Sequence, residues 1–155
     1  MTPNQSPNLS FSTAEYEARI AKTRAAMQAK DIDVLIVADP ANMAWLTGYE
    51  GWSFYVHQAV ILGPDGPPIW WGRAMDALGA KRTVFMGHDH IHGYDDSYVQ
   101  NPEKHPMEDL SMLLAQQGWH SKNIGLELDN YYFTAAAYLS LVETLPLARV
   151  INANG

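Results

Sequence analysis

Asp33-Val34-Leu35-Ile36-Val37, closed at once by Asp39-Pro40, is the stretch that most limits what this chain can fold into. The run is β-branched, of strand length and without polar alternation, so a strand formed here needs cover on both faces. Pro40 cannot continue a central strand and suits the first turn of a short helix, ANMAWL.

The flanks supply that cover. Ser12 followed by Glu15 is a capping box, Phe11 can staple onto Tyr16, and Tyr16, Ile20 and Met27 form one apolar stripe on a helix over about 13–30. QAVIL at 58–62 and IWWG at 69–72 flank GPDGPP, whose turn residues predict an antiparallel hairpin. A helix over 74–83 and a short strand over 89–93 follow. Pro106 opens a helix whose Met107, Leu110, Leu113 and Leu114 face inward before Gly118 ends it. NIGLEL at 123–128, a helix at 134–145 with Tyr138, Leu141, Val142 and Leu145 inward, and ARVI at 148–151 complete the pattern. The expectation is an α/β fold of three layers, α/β/α, around a mixed sheet of five or six strands. MTPNQSPNLS at 1–10 is expected to be a flexible arm, with the domain over 11–155. A final strand with only NANG behind it is expected to mark a truncation boundary, with a natural terminus as the alternative.

Composition narrows the function classes. The 155 residues fit one domain, with 47% hydrophobic and only 17% charged residues, the profile of a folded chain. A net charge of −7 with ten Lys+Arg opposes nucleic acid and anionic membranes as partners. There is no cysteine for a disulfide or thiolate metal site, no leader-like segment, and no apolar run long enough to span a bilayer, so cytoplasmic residence is expected.

Neither GxGxxG nor GxxxxGK[ST] follows any of these strands, and GxSxG is absent, so the sequence supports neither phosphate cradling nor a serine nucleophile. His88, His90 and His92 alternate; on a strand their imidazoles would share a face about 7 Å apart, near enough for adjacent pairs to share a metal. No carboxylate accompanies them at ligand spacing, so an exposed polar face opposite Ile91 accounts for them better. Asp39, Glu127 and Asp129 near strand ends could hold two metal ions for phosphodiester cleavage. A helix N-cap, a turn pair and an acidic surface that repels such a substrate explain them more simply.

TGYEGWSFYVHQ at 47–58 remains. Gly48 and Gly51 permit sharp turns, and Trp52, Phe54 and Tyr55 offer rigid contact area beside His57. Strand alternation would set Trp52, Phe54 and Val56 against Ser53, Tyr55 and His57, one set core and the other facing a partner or solvent. Residue chemistry leaves pocket and packing equally open.

FSTAEYEARIAKTRAAM, DIDVLIVADPANMAWLTGY and IGLELDN, which together reach across nearly the whole chain from Phe11, resemble the N-terminal domain of the creatinase/prolidase family. The order of a strand followed by N-x-x-W-L-T-G-Y is the most specific part. Within the family, GYEGWSFYVHQ, WWGRAMDALGA and YVQNPEKHPMEDL are most similar to the branch that hydrolyses the cyclic amidine ectoine.

The resemblance implies a ribonuclease H-like topology and a hydrolase whose catalysis belongs to a C-terminal pita-bread domain that this chain does not contain. It implies no catalytic residue, metal ligand or cofactor here, any divalent metal belonging to that other domain. The implied partners are that domain, a second subunit in a homodimer and a small zwitterionic substrate. Relatives reach a loop from this domain into the neighbouring subunit's active site, which makes Trp52, Phe54, Tyr55 and His57 the substrate-binding candidates. The loop arginine of creatinase-like relatives falls near Val56 or His57, and this sequence has none there. His57 is left to meet a substrate carboxylate by hydrogen bond or by charge. The alternative is a free-standing ligand- or metal-binding α/β module.

Overall fold

A computed structural model describes residues 7–155. Helix α1 spans Thr13–Ala29, strand β1 Val34–Val37 and helix α2 Pro40–Thr47. Strands β2 (Ala59–Leu62) and β3 (Ile69–Arg73) follow, then a 3-10 turn over Ala74–Asp76 and helix α3 (Ala77–Thr83). Strand β4 covers Ile91–Tyr94, helix α4 Pro106–Gln116, strand β5 Asn123–Leu126, helix α5 Ala135–Thr144 and strand β6 Arg149–Asn152.

The six strands form one sheet in the order β4-β3-β2-β1-β5-β6. The β1–β2 and β2–β3 pairs are antiparallel, and the other three are parallel. Strand alternation explains the three layers. Val34, Ile36, Ala59, Ile61 and Trp71 pack on one face against Leu110 and Leu114 of α4 and Ala137 and Leu141 of α5. Val37, Val60, Leu62 and Trp70 pack on the other against Ile20 and Met27 of α1, Met43 and Leu46 of α2 and Ala80 of α3. The adjacent tryptophans thus anchor opposite layers, as the period of two requires.

The stripes expected on α1 and α4 are the buried ones. At the start of α1, Ser12 Oγ accepts the Glu15 N–H at 3.2 Å, while Glu15 turns outward to Arg19 at 2.9 Å, so only half of the capping box forms. Phe11 meets Tyr16 edge-on at 6.1 Å, as a staple should. On α5, Ala137 and Leu141 are buried while Tyr138 and Val142 are only half-buried. Residues 1–6 of the expected arm lie outside the described residues; over 7–10 no helix or strand forms, and the Asn8 N–H donates to Arg82 O at 2.9 Å. No described helix is long and apolar enough to cross a membrane.

Candidate functional site

The N-x-x-W-L-T-G-Y run launches the aromatic loop. Asp39 caps α2 by accepting the Ala41 and Asn42 N–H groups at 2.8 and 3.2 Å, with Pro40 in the first turn. Thr47 Oγ1 donates to Met43 O at 2.7 Å and accepts the Tyr49 N–H at 3.2 Å. Gly48 ends the helix at φ +84°, where a side chain would be strained and a Cβ would lie 2.8 Å from Thr83 O. Tyr49 then buries its ring against Trp70 and donates its hydroxyl to Gln58 Oε1 at 2.8 Å, tying the two ends of the loop together. Burial, followed by the charge of Asp76, raises this phenol to about 12, so it acts as a donor and not as an acid. Gly51 is required by close approach, because a Cβ there would overlap the Tyr49 hydroxyl.

Beyond Gly51 the chain is neither helix nor strand until β2, so the alternating arrangement of 52–57 does not occur. The glycine turns break the extended geometry that alternation needs. Trp52, Phe54 and Tyr55 are 83%, 45% and 70% exposed, which removes them from the core. Their rings form a chain of contacts: Trp52 to Phe54 at 6.0 Å, Phe54 to Tyr55 at 6.5 Å, and Phe54 to Tyr132 at 6.2 Å. Tyr132 arrives from the loop after β5, whose neighbouring Phe133 is buried in the core as an anchor.

His57 shares with Tyr55, but not with Trp52 or Phe54, the wall of a cleft of about 490 Å³ that Arg73, Tyr98, Lys104 and His105 also line. Its ring lies 4.8 Å from that of His105, and its carbonyl accepts the Tyr94 hydroxyl at 2.7 Å. Burial first, and the neighbouring His105 second, lower His57 from its ordinary value to about 4. The neutral ring is thereby favoured, which suits a hydrogen bond better than a charge as its way of meeting a carboxylate. His105 is also lowered, by burial against an opposing pull from Glu108.

The cations of this cleft were not evident from the sequence. Arg73 lies at the end of β3, and extending the β2–β3 ladder two places beyond the Ala59–Trp71 pair brings it opposite His57. The hairpin register was the available signal. Arg73 is held by Asp96, with Nε to Oδ1 at 2.6 Å and Nη2 to Oδ2 at 3.1 Å, and the pairing raises the guanidinium further and lowers the Asp96 carboxyl. Lys104 donates to Ser97 Oγ at 2.6 Å and lies 4.1 Å from the centre of the Tyr98 ring.

The other clusters have structural tasks. His88 and His90 lie in a 3-10 turn ahead of β4, and only His92 is on the strand, so the expected row of three imidazoles on one face does not form. His92 Nε2 is 3.0 Å from Asp109 Oδ1, which also accepts the Trp71 indole N–H at 2.8 Å. Glu127 accepts the Ala38 and Asp39 N–H groups at 2.7 and 2.8 Å. Among the described residues no three His, Asp or Glu side chains gather as a metal site.

Geometry thus defines a three-layer α/β domain carrying an exposed aromatic loop and a donor-lined cleft at one end of its sheet. The family model for the creatinase/prolidase N-terminal domain matches residues 19–155. The chain belongs to that family. It is 54% identical over 148 residues to ectoine hydrolase of Halomonas elongata, covering 95% of this chain and 37% of that protein. It is 40% identical over 139 residues to an uncharacterized hydrolase/peptidase, y4tM, of Sinorhizobium fredii, covering 89% and 36%. The chain therefore spans little more than a third of the length of these relatives.

Among solved structures, a prolidase from Thermococcus sibiricus superposes with a TM-score of 0.70 at 15% identity, over 91% of this chain and 35% of that one. The isolated creatinase/prolidase N-terminal domain of an X-Pro dipeptidase from Streptococcus pyogenes gives 0.65 at 19% identity, over 88% and 93%. These likenesses show the fold.

Proposed function

We propose that this chain is the non-catalytic N-terminal domain of an ectoine hydrolase, which opens the cyclic amidine in a following C-terminal domain. That domain would also hold any divalent metal. The role of this domain is to build the homodimer and to present its aromatic loop to the substrate bound by the neighbouring subunit.

The observation that carries the proposal is the exposure of Trp52, Phe54 and Tyr55 on a loop whose two ends are fixed by Tyr49 and Gln58. Exposed rings on a rigid support are the economical way to cover a small ligand, because little side-chain entropy is lost on contact. A delocalised amidinium is also attracted to aromatic faces. His57, held neutral, adds a hydrogen bond without a charge to desolvate.

The test is turnover by the protein made from the complete gene, assayed with ectoine, creatine and an Xaa-Pro dipeptide. The proposal expects a reading frame that continues past Gly155 by roughly one further domain, hydrolysis of ectoine in preference to the other two, and no turnover by the 155-residue chain alone. A full-length protein that cleaves the dipeptide in preference, or catalysis by this chain alone, would contradict it.

A further inference from the structure

We infer that the cleft behind the aromatic loop is a binding site for a small carboxylate, received by Arg73, Lys104 and His105. The inference rests on the preceding reading only in taking the natural ligand to be a zwitterion.

Three groups in this cleft have donors to spare. Arg73 uses Nε and Nη2 on Asp96, and Nη1 makes no hydrogen bond among the described residues. Lys104 makes one hydrogen bond, to Ser97, out of the three that an ammonium can donate. His105 Nδ1 accepts the Met107 N–H at 3.1 Å as the cap of α4, which fixes the proton of the neutral ring on Nε2. That Nε2–H has no partner among the described residues. A wall with open donors from a guanidinium, an ammonium and an imidazole selects a ligand group that only accepts, and a planar carboxylate fits the guanidinium edge.

The surroundings favour a small organic acid over a bare ion. Tyr55 and Tyr98 add aromatic walls, and a cleft of about 490 Å³ has room for a ring-sized ligand. Asp96 does not compete for the site: it occupies one edge of the guanidinium and leaves Nη1 open.

The test is a titration of the ¹⁵N-labelled 155-residue chain with benzoate at pH 7 and constant ionic strength, with benzamide as the neutral isostere. Benzoate is expected to give saturable shifts centred on Tyr55, His57, Arg73, Lys104 and His105, and to bind at least about tenfold tighter than benzamide. Arg73→Gln and Lys104→Gln should each weaken benzoate about tenfold while the melting temperature holds. Equal affinity for benzoate and benzamide, shifts that map elsewhere, or wild-type affinity in both folded variants would overturn the proposal. The measurement reads binding by this chain alone, so its failure leaves the hydrolase assignment standing, and failure of the turnover assay leaves the carboxylate site standing.

Discussion

Glu127, just past the end of β5, accepts the side-chain amide of Asn42 in α2 at 2.5 Å, joining segments 85 residues apart. The same carboxylate takes the Ala38 and Asp39 N–H groups and is only 7% exposed. It thereby fixes the end of β1 and the start of α2, the helix from which the aromatic loop departs. Removing it leaves those three donors, and the more distant Asn130 amide at 3.5 Å, without their acceptor, at a cost of roughly 2–4 kcal/mol. Urea unfolding of Glu127→Ala is expected to show that loss, and Glu127→Gln a smaller one because an oxygen remains. A Glu127→Ala variant within about 0.5 kcal/mol of wild type would remove this role.

Gly48 turns the chain out of α2 in a left-handed conformation, with Thr83 O and the Tyr16 hydroxyl close by. Alanine there meets both backbone strain and a steric clash, so Gly48→Ala should lower stability by about 2–3 kcal/mol in denaturant melts. Gly66, also at positive φ but with open space around its Cβ position, serves as the control. Gly66→Ala should cost about 1 kcal/mol, the conformational term alone. Equal losses at the two sites would show that the crowding around Gly48 has no energetic weight.

His57 titrates at about 4 in the folded chain, below its ordinary 6.5, because burial and then His105 disfavour its charge. The groups beside it in the cleft, Arg73, Lys104 and His105, offer no carboxylate to counter this; Glu108 acts on His105 and Asp96 is committed to Arg73. The unfolded chain therefore binds the proton first. Stability from the neutral ring is complete above the unfolded value and falls with pH between 6.5 and about 4. NMR titration of the His57 ring should place its midpoint in the low range, and His57→Phe should flatten the acid dependence of the melting temperature. A His57 midpoint at or above the ordinary value would contradict the burial argument.

The layered fold was legible in the sequence because its signals are local. The stripe Tyr16, Ile20, Met27, the Pro106 start of α4 and the turn between β2 and β3 each follow from a few neighbouring residues. His88 and His90 escaped the same logic, since alternating polar residues in a short 3-10 turn look like one face of a strand. The aromatic loop was legible as a candidate but not as a conformation, because its glycines cancel the periodicity that would place each ring. Of the cleft, only Tyr55, His57 and, through the hairpin register, the place of Arg73 were legible. It is assembled from β3, the segment before α4 and the loop, and its cations are separated from His57 along the sequence by the hairpin and the length of β4.

The central claim is that Trp52, Phe54 and Tyr55 serve a ligand and not the core, and kcat/KM for ectoine in the full-length enzyme tests it most directly. Since all three rings are exposed, Phe54→Ala and Trp52→Ala should leave stability within about 0.5 kcal/mol of wild type. Each should lower kcat/KM by roughly tenfold or more, the loss of about 1.4 kcal/mol of transition-state binding. Unchanged kcat/KM in both variants, or an activity loss that merely tracks a fall in melting temperature, would contradict the account.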